Sequence, residues 1–297
     1  NADGFICNPL IGSIANAFAH SIKYSENATL SCVLGRNEEK VNSFAEKHNC
    51  QPYLDLESFL DSGIEAVYVA TPHDSHFHYS MEAINRKLHV LCEKPLSVNS
   101  TEAMILINEA KKNDVFLMEA FMYRTHPQTF EILELCKKYL KNANVKILSS
   151  FGFDAPVDKS HRLRNLNLAG GAILDVGCYP LSMARLIAGT LNDEKYLDPK
   201  SIEVKGILDT TGVDNKSSAN LIFSDNISAY IETSINEELQ NNLIIKSDKV
   251  EIEVFEPWHC GQFQEGKYSI ELNLEGKKTV ISNKDEVGLF TREINEA

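Results

Sequence analysis

Residues 90–95 read Val90-Leu91-Cys92-Glu93-Lys94-Pro95. The apolar opening reads as a buried strand, which stops abruptly on a carboxylate, an amine and a proline. In an open α/β sheet, ligands bind beyond the carboxyl ends of the strands, which is where Glu93 and Lys94 fall. A lysine there can donate to a ribose or substrate oxygen, and its charge can lower the pKa of a neighbouring acid. The same two residues also read as a solvated pair at a strand end. The flanking sequence has to decide between these readings.

On both sides of this stretch, strand and helix signals alternate. Strands are predicted over 5–7, 28–34, 66–70 and 115–118, and helices over 14–23, 37–48, 75–88 and 100–112. The last of these opens on Ser100-Thr101-Glu102, a capping signal. This βαβα rhythm predicts an α/β fold with an N-terminal, Rossmann-type, doubly wound parallel sheet, a dinucleotide-binding domain over 1–122. Past residue 122 the rhythm changes. Helices over 127–140 and 172–188 are followed by strand signals over 202–208, 218–223, 227–234, 242–245, 250–255 and 268–272, with one earlier strand at 145–152. That pattern predicts a C-terminal α+β domain over 123–297 with a large, mainly antiparallel open sheet. The chain begins at Asn1 without Met, so its true start is expected upstream, and Arg292-Glu293-Ile294-Asn295-Glu296 reads as a helix just beginning.

Composition narrows the class of partner. A net charge of −13 over 297 residues argues against a nucleic-acid backbone, which wants clustered Lys and Arg. No uninterrupted apolar run of roughly 20 residues is evident, so no membrane partner is expected. Seven cysteines without a Cys-x-x-Cys pair suit a reducing, cytoplasmic setting, with Cys32, Cys92 and Cys178 as small core residues. His73, His76 and His78 are close in sequence but diverge around a helix start, so no metal is expected.

A second informative segment is Gly170-Gly171-Ala172-Ile173-Leu174-Asp175-Val176-Gly177-Cys178-Tyr179-Pro180. If it is helical, Asp175 and Tyr179 share a face. A tyrosine is a poor base at neutral pH, but a nearby Lys⁺ makes its phenolate accessible. A Lys and a Tyr beside a nicotinamide ring are the ingredients of alcohol oxidation. The alternative is that Tyr179 packs at a domain boundary while Asp175 caps or bridges. Near the N-terminus, Asn8-Pro9-Leu10-Ile11-Gly12-Ser13-Ile14-Ala15 stands where a G-x-G-x-x-G/A loop is wanted. Gly12 and Ala15 fit its second and third positions, and Leu10 replaces the first glycine. The N–H groups of Ser13 and Ile14 could still bind an anion. At the end of the second strand, Leu34-Gly35-Arg36-Asn37 offers an arginine instead of the acid that holds an NAD ribose, which favours NADP over NAD. A solvent-facing arginine is the other reading.

Three motifs occur in order: Glu93-Lys94-Pro95, Met118-Glu119-Ala120-Phe121-Met122-Tyr123-Arg124-Thr125-His126-Pro127, and the 170–180 segment. Together they resemble the glucose–fructose oxidoreductase/inositol dehydrogenase (Gfo/Idh/MocA) family, most closely its dimeric dihydrodiol dehydrogenase branch. The resemblance runs from about Ile11 to Phe255-Glu256-Pro257-Trp258. It implies that Lys94 contacts substrate and the nicotinamide ribose, that Tyr179 is the general acid/base, and that Asp175 orients substrate or tunes Tyr179. It also implies that Thr71-Pro72-His73, with Glu93, passes beside the dinucleotide and that Arg124 lines the cofactor or substrate cleft. His161-Arg162 would stand at the mouth of the substrate site. The implied activity is NADP-dependent oxidoreduction of a secondary alcohol or ketone in a sugar, cyclic polyol or dihydrodiol, in a homodimer joined through the C-terminal sheet. The alternative is a non-catalytic dinucleotide- or sugar-binding regulator with the same fold, a reading supported by Leu10.

Overall fold

Alternation along the strands sorts the first sheet's side chains onto two covered faces. The computed structural model describes residues 2–7 and 12–297, so the glycine-loop positions 8–11, Leu10 among them, lie outside the described residues. Six strands run parallel: β1 (Ala2–Cys7), β2 (Ala28–Leu34), β3 (Gln51–Tyr53), β4 (Ala66–Val69), β5 (His89–Glu93) and β6 (Leu117–Ala120). Their order is β3-β2-β1-β4-β5-β6, the doubly wound arrangement with its switch point between β1 and β4. Val67, Val69, Val90 and Cys92 pack on one face with Phe59, Ile84 and Leu106. Tyr68 and Leu91 pack on the other with Phe18, Phe44 and Ile294. Burial on both faces is why β4 and β5 read as nearly continuous apolar runs. Each fully buried large side chain contributes about 1.5–3 kcal/mol.

The helices α1 (Ser13–Ser21), α2 (Glu38–His48), α4 (His76–Asn85) and α5 (Ser100–Asn113) lie close to their predicted spans. The cap of α5 is Asn99, one residue earlier than expected: its side chain accepts the Glu102 N–H at 3.0 Å. Two short elements were not read from the sequence, β3 and α3 (Leu56–Leu60). Gln51-Pro52-Tyr53 is too short to show alternation and its proline is tolerated because β3 is an edge strand.

The chain divides into one unit of Asn1–Met122 with Val287–Ala297 and a second of Tyr123–Glu286. The expected boundary therefore needs one correction: residues 287–297, assigned to the second domain, pack with the first. Helix α8 (Leu289–Glu296) buries Ile294 against α1 and the sheet, and Thr291 Oγ1 donates to the Ser21 carbonyl at 3.0 Å. Ser25 Oγ donates to Asn295 Oδ1 at 2.7 Å.

In the second unit, eight strands form one sheet: β7 (Val145–Gly152), β8 (Ser201–Leu208), β9 (Asp214–Ser224), β10 (Ile227–Ser234), β11 (Leu243–Lys246), β12 (Val250–Val254), β13 (Lys267–Leu274) and β14 (Lys277–Lys284). The order is β14-β13-β12-β11-β7-β10-β9-β8, antiparallel except for β7 beside β10. Strand β14 escaped the sequence reading because Lys277-Lys278-Thr279-Val280-Ile281-Ser282-Asn283-Lys284 is almost wholly exposed at an edge and carries no core pattern. Helices α6 (Pro127–Tyr139) and α7 (Cys178–Leu191) belong to this unit, and in β9 Ser217, Ala219, Leu221 and Phe223 are buried while Asn220 and Ile222 are exposed. The helical run Leu166–Leu191 is long enough to cross a membrane and contains an 18-residue window of mean hydropathy 1.2, which the sequence reading did not register; 67% of that window is buried in the protein, as befits a core helix. Among the described residues no disulfide forms; Cys32 and Cys92 are buried as expected, and Cys178 is half-buried.

Candidate active site

The carboxyl end of β5 is built over an acidic floor. Tyr68 Oη donates to Glu93 Oε1 at 2.5 Å, and the Lys94 N–H donates to Glu93 Oε2 at 3.2 Å. Burial and the Glu93 carboxylate push the Tyr68 phenol well above its ordinary pKa. From α8, fully buried Glu293 is also raised well above the carboxylate range, first by burial and then by Glu93. Lys94 is half-buried and its peptide to Pro95 is cis. Downstream, the Leu96 N–H donates to Glu119 Oε1 at 2.7 Å, which ties the Glu-Lys-Pro loop to β6.

His76 joins this loop to the end of β4. Its Nδ1 lies 2.7 Å from the Pro95 carbonyl and its Nε2 lies 2.9 Å from the Thr71 carbonyl. Burial lowers its pKa, with both carbonyl bonds opposing. The sequence reading weighed His76 only as a metal ligand, whereas the structure makes it the brace between the Thr71-Pro72-His73 loop and Lys94-Pro95. His73 is buried with its ring edge-on to His76 at 5.7 Å. Among the described residues, no three His, Cys, Asp or Glu side chains converge as metal ligands would.

Arg36 stands exposed just past β2, after Gly35, whose N–H bonds the Tyr53 carbonyl at 3.2 Å. Helix α1 starts at Ser13 behind an extended Gly12, and no side chain caps it. No described atom lies within 4 Å of the place a Cβ on Gly12 would take. Among the described residues no side chain caps the first-turn N–H groups at Ser13 and Ile14, which suits an anionic group.

In the second unit, the 170–180 segment folds in two parts. Ile173–Gly177 is a wide π-helical stretch, and α7 follows from Cys178. The segment is helical, as expected, with Asp175 in the wide stretch and Tyr179 in the first turn of α7. Asp175, buried, takes Arg162 Nη1 on its Oδ1 at 2.6 Å. Gly170 is required by close approach, because a Cβ there would meet the Arg162 carbonyl at 2.5 Å. Tyr179, in the first turn of α7, sits in an aromatic nest: Phe151 at 5.2 Å, Tyr123 at 5.8 Å and Trp258 at 5.9 Å between ring centroids. Trp258 Nε1 donates to the Ser150 carbonyl at 3.0 Å, so the wall is itself anchored. Aromatic pairs of this kind add about 0.5–1.5 kcal/mol each beyond their burial. His259 faces Phe151 edge-on at 5.7 Å, and burial lowers its pKa.

Arg124 turns toward α7. Its Nη2 donates to Ser182 Oγ at 2.9 Å and to the Ser182 carbonyl at 3.3 Å. His161 is exposed and accepts the Leu163 N–H on Nδ1 at 3.3 Å. The structure thus brings Glu93, Lys94, Thr71, Pro72 and His73 together in the first unit, and Arg162 with Asp175 in the second. The nest around Tyr179 was missed by sequence reasoning. Its one available signal was Trp258, the only tryptophan in the chain.

Comparison with known proteins gives a consistent answer. The family described as "Oxidoreductase family, NAD-binding Rossmann fold" matches residues 10–121, and the GFO/IDH/MocA C-terminal domain matches residues 144–254. D-xylose 1-dehydrogenase (NADP(+)) 2 of Haloferax volcanii is 34% identical over 206 residues, 69% of this chain and 61% of that protein. Trans-1,2-dihydrobenzene-1,2-diol dehydrogenase of Xenopus tropicalis is 32% identical over 247 residues, 82% of this chain and 72% of that protein. Among solved structures, a 3-ketoreductase from Actinomadura kijaniata in complex with NADP and TDP-benzene superposes with a TM-score of 0.85 at 18% identity, covering 99% of this chain and 88% of that one. The aldose-aldose oxidoreductase of Caulobacter crescentus gives 0.85 at 19% identity, with the same coverage of both chains. The two structural matches speak to the fold.

Proposed function

The chain belongs to the GFO/IDH/MocA oxidoreductase family, and we propose that it is an NADP-dependent enzyme acting on a secondary alcohol or ketone of a sugar, cyclic polyol or dihydrodiol. The observation that carries this reading is Tyr179, a phenol fixed by three aromatic rings at the start of α7. Relatives named for xylose and dihydrodiol oxidation support the substrate class, and the NADP(+) in a relative's name supports the cofactor.

The residues present fit a dinucleotide. Among the described residues nothing crowds Gly12 or caps the N–H groups of Ser13 and Ile14, and Arg36 offers a guanidinium to a 2′-phosphate. When bound, the nicotinamide supplies the acceptor or donor of hydride. Tyr179 gives or takes the hydroxyl proton at its Oη. We assign to Lys94 the charge that favours the phenolate and a hydrogen bond to the substrate or ribose. Asp175 and Arg162, already paired, orient substrate hydroxyls as acceptor and donor. Titrating NADPH fluorescence against the protein tests this: saturation within about 1 μM–1 mM is expected. Absence of binding at millimolar cofactor would contradict it.

Arg36→Ala should weaken NADPH by about 10-fold or more, the worth of a charge-assisted bond, while NADH binding changes little. Paired titrations with the two cofactors check this, and an unchanged preference would remove Arg36 from the phosphate site.

We extend the proposal to a homodimer through the open face of the second sheet. Across that face Ile244, Leu148 and Tyr230 stand in one register row, only half-buried, and Ile222 is exposed beside them. Lys146, Lys246, Glu251 and Glu253 surround this apolar stripe, the composition of a core with a charged rim. Sedimentation velocity should give twice the 33.2 kDa of one chain, and Leu148→Glu should halve it. A monomer for the unaltered protein would refute this arrangement.

A further inference from the structure

The helix that carries Asp175 and Tyr179 begins without a cap of its own. Gly170-Gly171-Ala172 supplies no side-chain acceptor, and none of the residues before Ile173 caps it. The acceptor comes from 41 positions further along the chain. Asp214, the first residue of β9, takes the Ile173 N–H on Oδ2 at 2.9 Å. Ser217 Oγ holds the same oxygen at 2.9 Å. Gly171 makes the approach possible: at φ +116°, it leaves the space where its Cβ would meet Asp214 Oδ1 at 2.2 Å. Burial raises the Asp214 carboxyl pKa, and the bond from Ile173 opposes that rise.

The same turn has a second arm. Asp209, at the other end of the β8–β9 connection, receives Arg164 in a fork, Nε to Oδ2 at 2.6 Å and Nη2 to Oδ1 at 2.9 Å. Arg164 Nη1 also donates to the Val157 carbonyl at 2.9 Å, so the fork spans the 157–164 loop. That loop carries Arg162, which pairs with Asp175 at 2.6 Å, and its Leu163 carbonyl takes the Gly171 N–H at 2.9 Å. The turn closes tightly on itself, with Asp209 N–H to the Val213 carbonyl at 2.7 Å and Gly212 N–H to the Asp209 carbonyl at 3.0 Å. Two carboxylates in one rigid turn therefore hold the two pieces of backbone that present Asp175, Tyr179 and Arg162.

We propose that the β8–β9 turn is the positioning element of the acid/base helix, with Asp214 as the positioning residue that caps it and Asp209 as the anchor of the Arg162 loop. The inference rests on the reading of Tyr179 as the proton-transferring group. Asp214 touches no reacting atom. It acts by fixing where the π-helical stretch starts, and hence where Tyr179 emerges from α7. A misplacement of the acid/base group costs turnover more than it costs binding of a cofactor held elsewhere.

The test compares Asp214→Ala and Asp214→Asn in the full chain by kinetics and by amide hydrogen exchange. D214A should lower kcat about 10–100-fold with KM for NADP(+) within about two-fold. Its amides over 173–179 should lose protection by about 2–30-fold, the measured range for a missing cap. D214N keeps one acceptor oxygen and should recover most of both losses, and if D214A does not fold, D214N carries the decision through a smaller loss of protection over 173–179. Unchanged exchange there in D214A, or in D214N where D214A does not fold, would overturn the capping role, and lost protection with unchanged kcat would overturn the positioning role. Failure of the unaltered protein to turn over any sugar or diol would instead sink the proposed function, while the exchange comparison would still decide the cap.

Discussion

Tyr179→Phe should lower turnover about 10²–10⁴-fold, the usual worth of general acid–base catalysis, while NADPH binding stays within about two-fold. The substitution is chosen because the ring remains. Phe151, Tyr123 and Trp258 stay 5.2–5.9 Å from its centroid, so the nest keeps its packing and the fold loses little. What disappears is the phenolic oxygen, the one atom at that position able to hold a proton between substrate and solvent. Steady-state kinetics and a cofactor titration on the same preparation check both halves. An equal loss of NADPH affinity, or a melting temperature lowered as far as turnover, would return Tyr179 to a structural role in the nest.

Lys94→Ala should act on the same proton by a different route. Removing an opposite charge beside a titrating group moves its pKa by about 1–3 units, upward for a phenol that has lost its ammonium neighbour. The pH profile of kcat for alcohol oxidation should therefore shift its rising limb to higher pH. Turnover at neutral pH should fall about 10–10³-fold, each unit being a factor of ten in the fraction ionised. Raising the pH should restore part of the loss, as it would not in Tyr179→Phe. NADPH should also bind more weakly, because Lys94 serves the ribose in this account. The loop itself should persist, held by His76 against the Pro95 carbonyl at 2.7 Å and by Glu119 on the Leu96 N–H at 2.7 Å. A profile that falls in height without moving along the pH axis would separate Lys94 from the phenol.

The parallel sheet was legible because both of its faces are buried. Val90-Leu91-Cys92 had to be apolar throughout, and a strand of that kind ending in Glu93-Lys94 announces its carboxyl end. The edges were not legible. Gln51-Pro52-Tyr53 and Lys277–Lys284 pack too little to leave a pattern, and the register of β3 and β14 is set by neighbours instead. As candidates for the proposed site, Lys94, Asp175 and Tyr179 were legible because each sits on a short segment that carries its own turn chemistry. The supports were not, since each joins residues far apart in the chain. Asp214 reaches Ile173 across 41 positions, and Trp258 reaches Ser150 across 108. The wide turn over Ile173–Gly177 was not legible either, since the four-residue step from Asp175 to Tyr179 reads equally as ordinary α-helix. The return of α8 to the first unit was equally hidden, because an amphipathic helix does not say which core its apolar face will meet.

We propose hydride transfer between NADP(+) and a carbinol carbon, with Tyr179 handling the proton. The direct measurement is the absorbance of reduced nicotinamide when the protein is mixed with NADP(+) and a panel of D-xylose, other aldoses, cyclic polyols and a trans-dihydrodiol. The account predicts growth of that absorbance with at least one member, faster with NADP(+) than with NAD(+), and lost in Tyr179→Phe. No growth with any member in a protein that binds NADPH, or growth undiminished in Tyr179→Phe, would contradict it.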